Sequence, residues 1–340
     1  MKLDVLVVGL PFDEARRTIA LADEAGFDGA WITETWNDPF LPLAAAAPAT
    51  ARIELGTAIA LAFVRSPMIT AITAWEIQRA SGGRFRLGLG TQVKAHNERR
   101  YSVPFSFPAA RLREQVAALR AIWDAFAGRA PLDFKGEFYR FDLLPDFFNP
   151  GPIDAPPPPV YLAAVNPYSF RAAGEVADGV HVHPLHSVEY LRDVALPAVE
   201  EGLARAGRRR EDITVSAQMM VIVGRGEDRR RREADVRRQI AFYGSTRTYK
   251  APLEHAGFDG LNAELHRLMA EGDGEGLLRA VPDELVERVA VVADTWEEAV
   301  AAARARYQGV VDRISLYSLP PLEDPAAAAS IPAAFRGENS

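Results

Sequence analysis

Two histidines two residues apart, His181 and His183, close the apolar run Gly179-Val180-His181-Val182-His183. At that spacing a β-strand puts both imidazoles on one face, which suits metal ligation, contact with a ring or substrate, or core packing. Metal catalysis at strand ends needs further His, Asp or Glu ligands from neighbouring strands. The supply is thin: the run Leu3 to Leu10 ends without one, Gly29 to Thr33 leads to Glu34 alone, and Ile314 to Leu319 carries no acid. No metal is therefore expected, and His183 stands either as a ring or substrate contact or as a structural histidine. Nucleophilic hydrolysis is disfavoured as well, because the chain has no cysteine and no G-x-S-x-G, and no serine stands out beside a histidine. The lack of cysteine also excludes disulfides and thiolate metal sites. Val165-Asn166-Pro167 reads as a helix start, with Asn as the cap and Pro at the first position. Free backbone N–H groups there suit a phosphate, although any helix start looks the same.

These residues need a frame, and the chain supplies a repeating one. β-Branched runs at Leu3–Leu10, Gly29–Thr33, Ile53–Leu61, Phe85–Gly90, Val160–Ala164, Gly179–His183, Ile213–Val223 and Ile314–Leu319 alternate with helical patterns. The first helix is expected to start at Asp13 and stop at Gly26; later ones start at Ser66-Pro67 and at the Thr295/Glu298 capping box. Leu112, Val116, Leu119, Trp123 and Phe126 form an apolar stripe at helical spacing. Two stretches interrupt the rhythm. Residues 129–158 read as a hairpin about a Lys-Gly turn followed by a Pro-rich lead-in, and 225–290 as a helical insertion. The expected fold is an α/β (β/α)8 TIM barrel with insertions, one domain over residues 1–320, with 321–340 as a tail. A doubly wound sheet is the poorer match, since Gly9-Leu10-Pro11-Phe12 replaces the glycine-rich turn after the first strand.

In such barrels chemistry sits at the strand C-termini. That places Phe12, Trp36, Phe63, Tyr168 and Tyr317 at the mouth, a lining suited to a planar aromatic ligand. The 340 residues are 48% hydrophobic and 25% charged with a net charge of −7, ordinary globular values that favour neither nucleic acid nor an anionic membrane. The Arg229 to Arg232 run is interleaved with acids and reads as a solvated helix face. No stretch is apolar enough for a span or leader, so a cytoplasmic setting is expected.

GFDGAWITE (26–34), ARIELGTAIAL (51–61) with RSP after it, SGGRFRLGLGTQ (81–92), FKGEFYRF (134–141), PPPPVYLAAVNP ending at Pro167, and AGEVADGVHVH (173–183) together resemble the luciferase-like monooxygenase superfamily, bacterial-luciferase-like in fold, and its F420-dependent branch most. The resemblance implies a deazaflavin coenzyme F420, with FMN as the alternative, lying across the strand ends. It implies a non-prolyl cis peptide at Ala58–Ile59 behind the ring, Gly90, Thr91 and Gln92 at the ring's polar edge, Ala164, Val165, Asn166 and Pro167 around the tail phosphate, and Glu34 beside the ring. Some F420 dehydrogenases carry a His after that acid; here it is Thr35, which disfavours sugar-phosphate-type alcohol oxidation.

The expected activity is hydride transfer between the deazaflavin and a small organic substrate, with Glu34, Thr35 and His183 on the reacting side. Phe12, Phe63, His96 and Gln218 are expected at the substrate. His96, Arg99 and Arg100 either orient a substrate or pair with surface acids. The insertion, with Phe242, Tyr243 and Tyr249, is expected to cover the mouth as a lid. The rival readings are an FMN monooxygenase using O2, a non-catalytic cofactor-binding barrel, and a metal hydrolase. By resemblance a homodimer is expected; neither nucleic acid nor membrane is expected as a partner.

Overall fold

A computed structural model describes residues 1–338. The strands are β1 (Lys2–Val7), β2 (Gly29–Ile32), β3 (Glu54–Thr57), β4 (Ala60–Leu61), β5 (Phe85–Gly90), β6 (Phe134–Lys135), β7 (Arg140–Phe141), β8 (Val160–Ala164), β9 (Gly179–Val182), β10 (Thr214–Val223), β11 (Ala290–Ala293) and β12 (Arg313–Leu316). Eight of them, β1, β2, β3, β5, β8, β9, β10 and β12, form a closed parallel barrel, sealed where β1 pairs with β12 at Asp4↔Ser315. Parallel pairing demands a crossover after each strand, and helices supply it, burying their apolar stripes on the barrel's outer face. The stripe at Leu112, Val116, Leu119, Trp123 and Phe126 is wholly buried.

Several sequence expectations change in detail. The first helix is Phe12–Ala25, preceded by Pro11, and no side chain caps it; Asp13 and Glu14 instead place negative charge in its first turn. The run 53–61 is two strands, β3 and β4, separated by the Ala58–Ile59 peptide, which is cis. The hairpin turns over four residues, Gly136 to Tyr139, rather than about Lys-Gly, because the Glu114 carboxylate accepts the N–H groups of Glu137, Phe138 and Tyr139 at 2.9, 2.8 and 2.7 Å.

The segment read as a tail is structural. Asp324 accepts the N–H groups of Ala326 and Ala327 and starts a helix, Pro325–Arg336, which Gly337 ends in the left-handed conformation. Ile331 and Phe335 are buried against the outer layer, and Arg304 donates to the Phe335 carbonyl at 2.7 Å. This is the helix that follows the eighth barrel strand. Its alanine-rich, proline-containing sequence has a weak period, which hid it. Residues 339 and 340 of that segment lie outside the described residues.

The 225–290 stretch folds as helices Gly226–Gly244, Lys250–His255, Leu261–Glu271, Gly274–Ala280 and Asp283–Val289 around a core of its own, including Ile222, Val236, Ile240, Leu253, Leu265 and Leu285. β10 outruns the barrel, and its last residues, Met220 to Val223, pair with β11. That extension carries the helices beyond the C-terminal end of β10, beside the barrel mouth.

Candidate active site

The barrel interior is stacked in tiers, because every second residue of each strand points inward. The lowest tier is ionic. Arg313 donates to both oxygens of buried Asp4 at 2.7 and 2.8 Å, and Trp31 Nε1 donates to Asp4 at 2.9 Å. Glu54 is held by Lys2, Arg86 and Arg313. Burial alone would raise its carboxyl, but the guanidinium charges outweigh it and hold Glu54 at about 2.

The middle tier is aromatic. Trp31 packs edge-on against His181 at 4.7 Å, with Tyr161 beside both at 5.6 and 5.1 Å. Gly56 is required there, since a Cβ would lie 2.2 Å from the Trp31 ring. Burial, with help from Arg313, pushes His181 down to about 3, so it is neutral. His181 therefore belongs to the core below the mouth, and His183, one tier higher, does not share a site with it. Among the described residues no group of three or more His, Asp or Glu is placed to hold a metal ion.

The uppermost tier divides into two halves. On the side of β3, β5 and β8 the inward residues are Ala58, Gly90 and Ala163, which leave a shallow floor. Ile59 covers Gly90 so closely that a Cβ there would meet its side chain at 2.7 Å. On the side of β9, β10 and β12 stand His183, Gln218 and Tyr317. The insertion adds Tyr243 and Tyr249, whose rings lie 4.3 and 4.5 Å from His183. Tyr243 and Tyr317 hydrogen-bond through their hydroxyls. His183 Nδ1 accepts the Leu185 N–H at 3.2 Å, which puts the neutral ring's proton on Nε2. Burial and then the neighbouring His186 push His183 down to about 3. Burial likewise raises all three tyrosines, so they stay protonated at neutral pH. The result is a small-residue floor beside a wall that offers neutral O–H and N–H groups.

Glu34 has a different task from free acid or base. Its carboxylate accepts the Leu61 N–H at 2.7 Å and a bidentate pair from Arg65 at 2.8 and 2.9 Å, and Arg65 also binds Asp38 at 2.8 Å. The Glu34 side chain is 6% exposed. It clasps the β2 end to the β4 segment that carries the floor. Arg65 was missed in the sequence, although a charged residue between a buried strand and a Ser-Pro helix start is a signal that a partner waits nearby.

The helix-start site is also partly spent. Ser169 Oγ accepts the N–H groups of Val165 and Asn166 at 3.0 and 3.1 Å, and Asn166 caps the Ser169 N–H. Pro167 has no N–H, and Ala164 lies within β8, so among the described residues Tyr168 supplies the free donor of that first turn. Phe63, expected at the substrate, is buried in the core beneath Arg111, 4.5 Å from its ring, and against Phe105. The reason is that Ala62 and Phe63 turn away from the mouth, where Gln115 takes the Ala62 carbonyl. Gln218 faces the mouth and is nearly buried. Phe12 and His96 lie on the rim, Thr91 is half-buried at the end of β5, and Gln92 follows it with a left-handed φ of 55°. Thr35 contacts Asn37 through its hydroxyl and accepts from Arg100 through its carbonyl.

The sequence profile of the luciferase-like monooxygenase family matches residues 5–313. An uncharacterized protein of Mycobacterium tuberculosis is 45% identical over 316 residues, 92% of each chain. The 5,10-methylenetetrahydromethanopterin reductase of Archaeoglobus fulgidus is 30% identical over 288 residues, 83% of this chain and 82% of that one. Among solved structures, the coenzyme F420-dependent tetrahydromethanopterin reductase of Methanopyrus kandleri superposes with a TM-score of 0.80 at 21% identity, covering 100% of this chain and 99% of that one.

Proposed function

The chain belongs to the luciferase-like monooxygenase family, and from that premise we propose that it is an F420-dependent oxidoreductase that moves a hydride between the deazaflavin and a small organic substrate. The observation that carries this reading is the divided mouth: a floor of Ala58, Ile59, Gly90 and Ala163 beside an aromatic, protonated wall. A flat tricyclic ring needs a floor of low relief, and Gly90, with no side chain of its own, leaves the room in which Ile59 lies close against the strand. One relative is a methylenetetrahydromethanopterin reductase and one structural neighbour is a coenzyme F420-dependent reductase, which supports the same cofactor here.

F420 supplies a two-electron hydride carrier when bound. Thr91 and Gln92 would meet the ring's polar edge, and the Tyr168 N–H with the start of helix Pro167–Val176 would meet the tail. The remaining work falls to the chain's own groups. Glu34 and Arg65 fix the floor. His183 Nε2–H and the Tyr243–Tyr317 hydroxyl pair offer protons to an oxygen or nitrogen acceptor on the substrate. The insertion helices shield that wall from water, which strengthens each hydrogen bond made there. The same reading expects a homodimer in the cytoplasm.

The test is oxygen uptake and cofactor oxidation measured with reduced F420 and, separately, with reduced FMN. Substrate-dependent oxidation of reduced F420 without oxygen uptake supports the proposal. Oxygen consumption that depends on reduced FMN moves the protein to the monooxygenase reading.

A further inference from the structure

The rim of the mouth above β1, β2 and β5 has a composition that the cofactor does not explain. Phe12, the first residue of the helix Phe12–Ala25, and Trp36, in the loop after β2, are 46% and 63% exposed although the backbone around them is well braced. Asn37 Nδ2 donates to the Leu10 carbonyl at 3.0 Å, tying the two loops together. Arg100 donates to the Thr35 carbonyl at 2.5 Å and brings in the π-turn His96–Arg100. That turn is pinned from beneath by Asn97, which is fully buried and donates to the carbonyls of Thr91 and Val93 at 2.9 and 3.1 Å. Trp36 lies against Gly9, whose added Cβ would sit 3.3 Å from the indole nitrogen.

The charges on this rim are unevenly spent. Glu34 and Asp38 are consumed by Arg65, and Glu98 by Lys94 at 3.8 Å. Asp13 and Glu14 sit in the first turn of the Phe12 helix. Arg99 is exposed and pairs with no carboxylate among the described residues, and Arg100 is exposed with one nitrogen engaged. Arg100, anchored on the Thr35 carbonyl next to Trp36 and lying 5.0 Å over the Tyr101 ring, brings the turn with exposed Arg99 to the same rim as the two exposed aromatic rings, and on a chain of net charge −7 this makes a local site for an anion with a flat apolar body.

We propose that this rim, Phe12, Trp36, Arg99 and Arg100, docks the substrate, and that the substrate is a planar conjugated anion of the aromatic carboxylate class. The inference rests on the hydride-transfer reading for the site's purpose, but its own observable is binding. The rings stack on the flat body and the guanidinium groups take the carboxylate, which leaves the far end of the molecule over the floor and wall.

Tryptophan fluorescence tests this directly, because Trp31, Trp75, Trp123 and Trp296 are buried and Trp36 is exposed. The protein is titrated with 4-nitrobenzoate, with the neutral 4-nitrobenzamide, and with the non-aromatic cyclohexanecarboxylate, and the titrations are repeated by calorimetry with F420 bound. The expected result is saturable quenching by 4-nitrobenzoate, roughly tenfold tighter than either control and weakened by salt. Arg99→Gln should loosen it about threefold to tenfold, and Trp36→Leu by a similar factor in calorimetry, with F420 affinity and melting temperature unchanged. Equal affinity for acid and amide, indifference to Arg99→Gln, or displacement of the probe by F420 would overturn the proposal. Binding of F420 without binding of 4-nitrobenzoate sinks this inference alone. Binding of 4-nitrobenzoate without F420 keeps the rim site and sinks the cofactor assignment.

Discussion

Replacing Glu34 by Gln separates two roles that the sequence alone could not distinguish. The structure gives the carboxylate three donors, one from Leu61 and two from Arg65, and leaves it 6% exposed. Breaking a buried ion pair costs about 3–5 kcal/mol when the partner charge is stranded. Here Arg65 is 18% exposed and keeps Asp38 at 2.8 Å, and Gln retains one acceptor for the Leu61 N–H. The loss should therefore be nearer ~2–3 kcal/mol. An unfolding entropy of about 2.1 cal/mol/K per residue gives roughly 0.7 kcal/mol per kelvin for this length, so the melting temperature should fall by about 3–4 °C. Differential scanning calorimetry on the purified variant reads this, and Glu34→Leu combined with Arg65→Met should recover part of the loss. A Glu34→Gln protein that melts within about 1 °C of the parent but has lost turnover with normal cofactor affinity would refute the clasp and make Glu34 the proton-transfer group.

Gly90→Ala forces a Cβ to within 2.7 Å of Ile59 and pushes that side chain over the floor; overpacking of this kind costs about 1–3 kcal/mol, and F420 affinity measured by fluorescence should drop roughly tenfold or more. Acid should destabilise the fold early: His181, His183 and His186 are held at about 3, about 3 and about 4, chiefly by burial. The unfolded chain binds protons below about 6.5 while the native one does not, so each histidine removes up to about 1.4 kcal/mol per pH unit as pH falls from about 6.5 to 4.5. A flat melting temperature across that window would contradict it, and His186→Gln should remove about a third of the slope. Tyr249→Ala opens the wall over His183, relieving the desolvation that depresses it; an NMR titration of His183 should then move up toward 6.5.

How much was legible in the sequence follows physical lines. The barrel strands announced themselves as short β-branched runs, because parallel strands are buried on both faces. The last helix did not, since Ala and Pro leave little amphipathic contrast and only Asp324 and Gly337 mark its ends. The interior ion network was invisible because Asp4, Glu54, Arg86 and Arg313 are up to 309 residues apart and meet only through barrel closure. The same limit applies at the mouth. Glu34 could be placed at a strand end, but its capture by Arg65 depends on a loop conformation that no spacing reveals. Likewise Val165 and Asn166 were readable as a helix start, whereas the Ser169 hydroxyl that takes their N–H groups required coordinates. Tyr243 and Tyr249 are readable as cover, but their edge-on and tilted packing against His183 comes from the docking of the insertion onto the extended β10.

The most direct test of the account is a parallel titration of the purified protein with F420 and with FMN, each followed by cofactor fluorescence. The account predicts saturable F420 binding that Gly90→Ala weakens, with FMN binding markedly weaker. FMN preferred over F420, or F420 affinity untouched by Gly90→Ala, would contradict it.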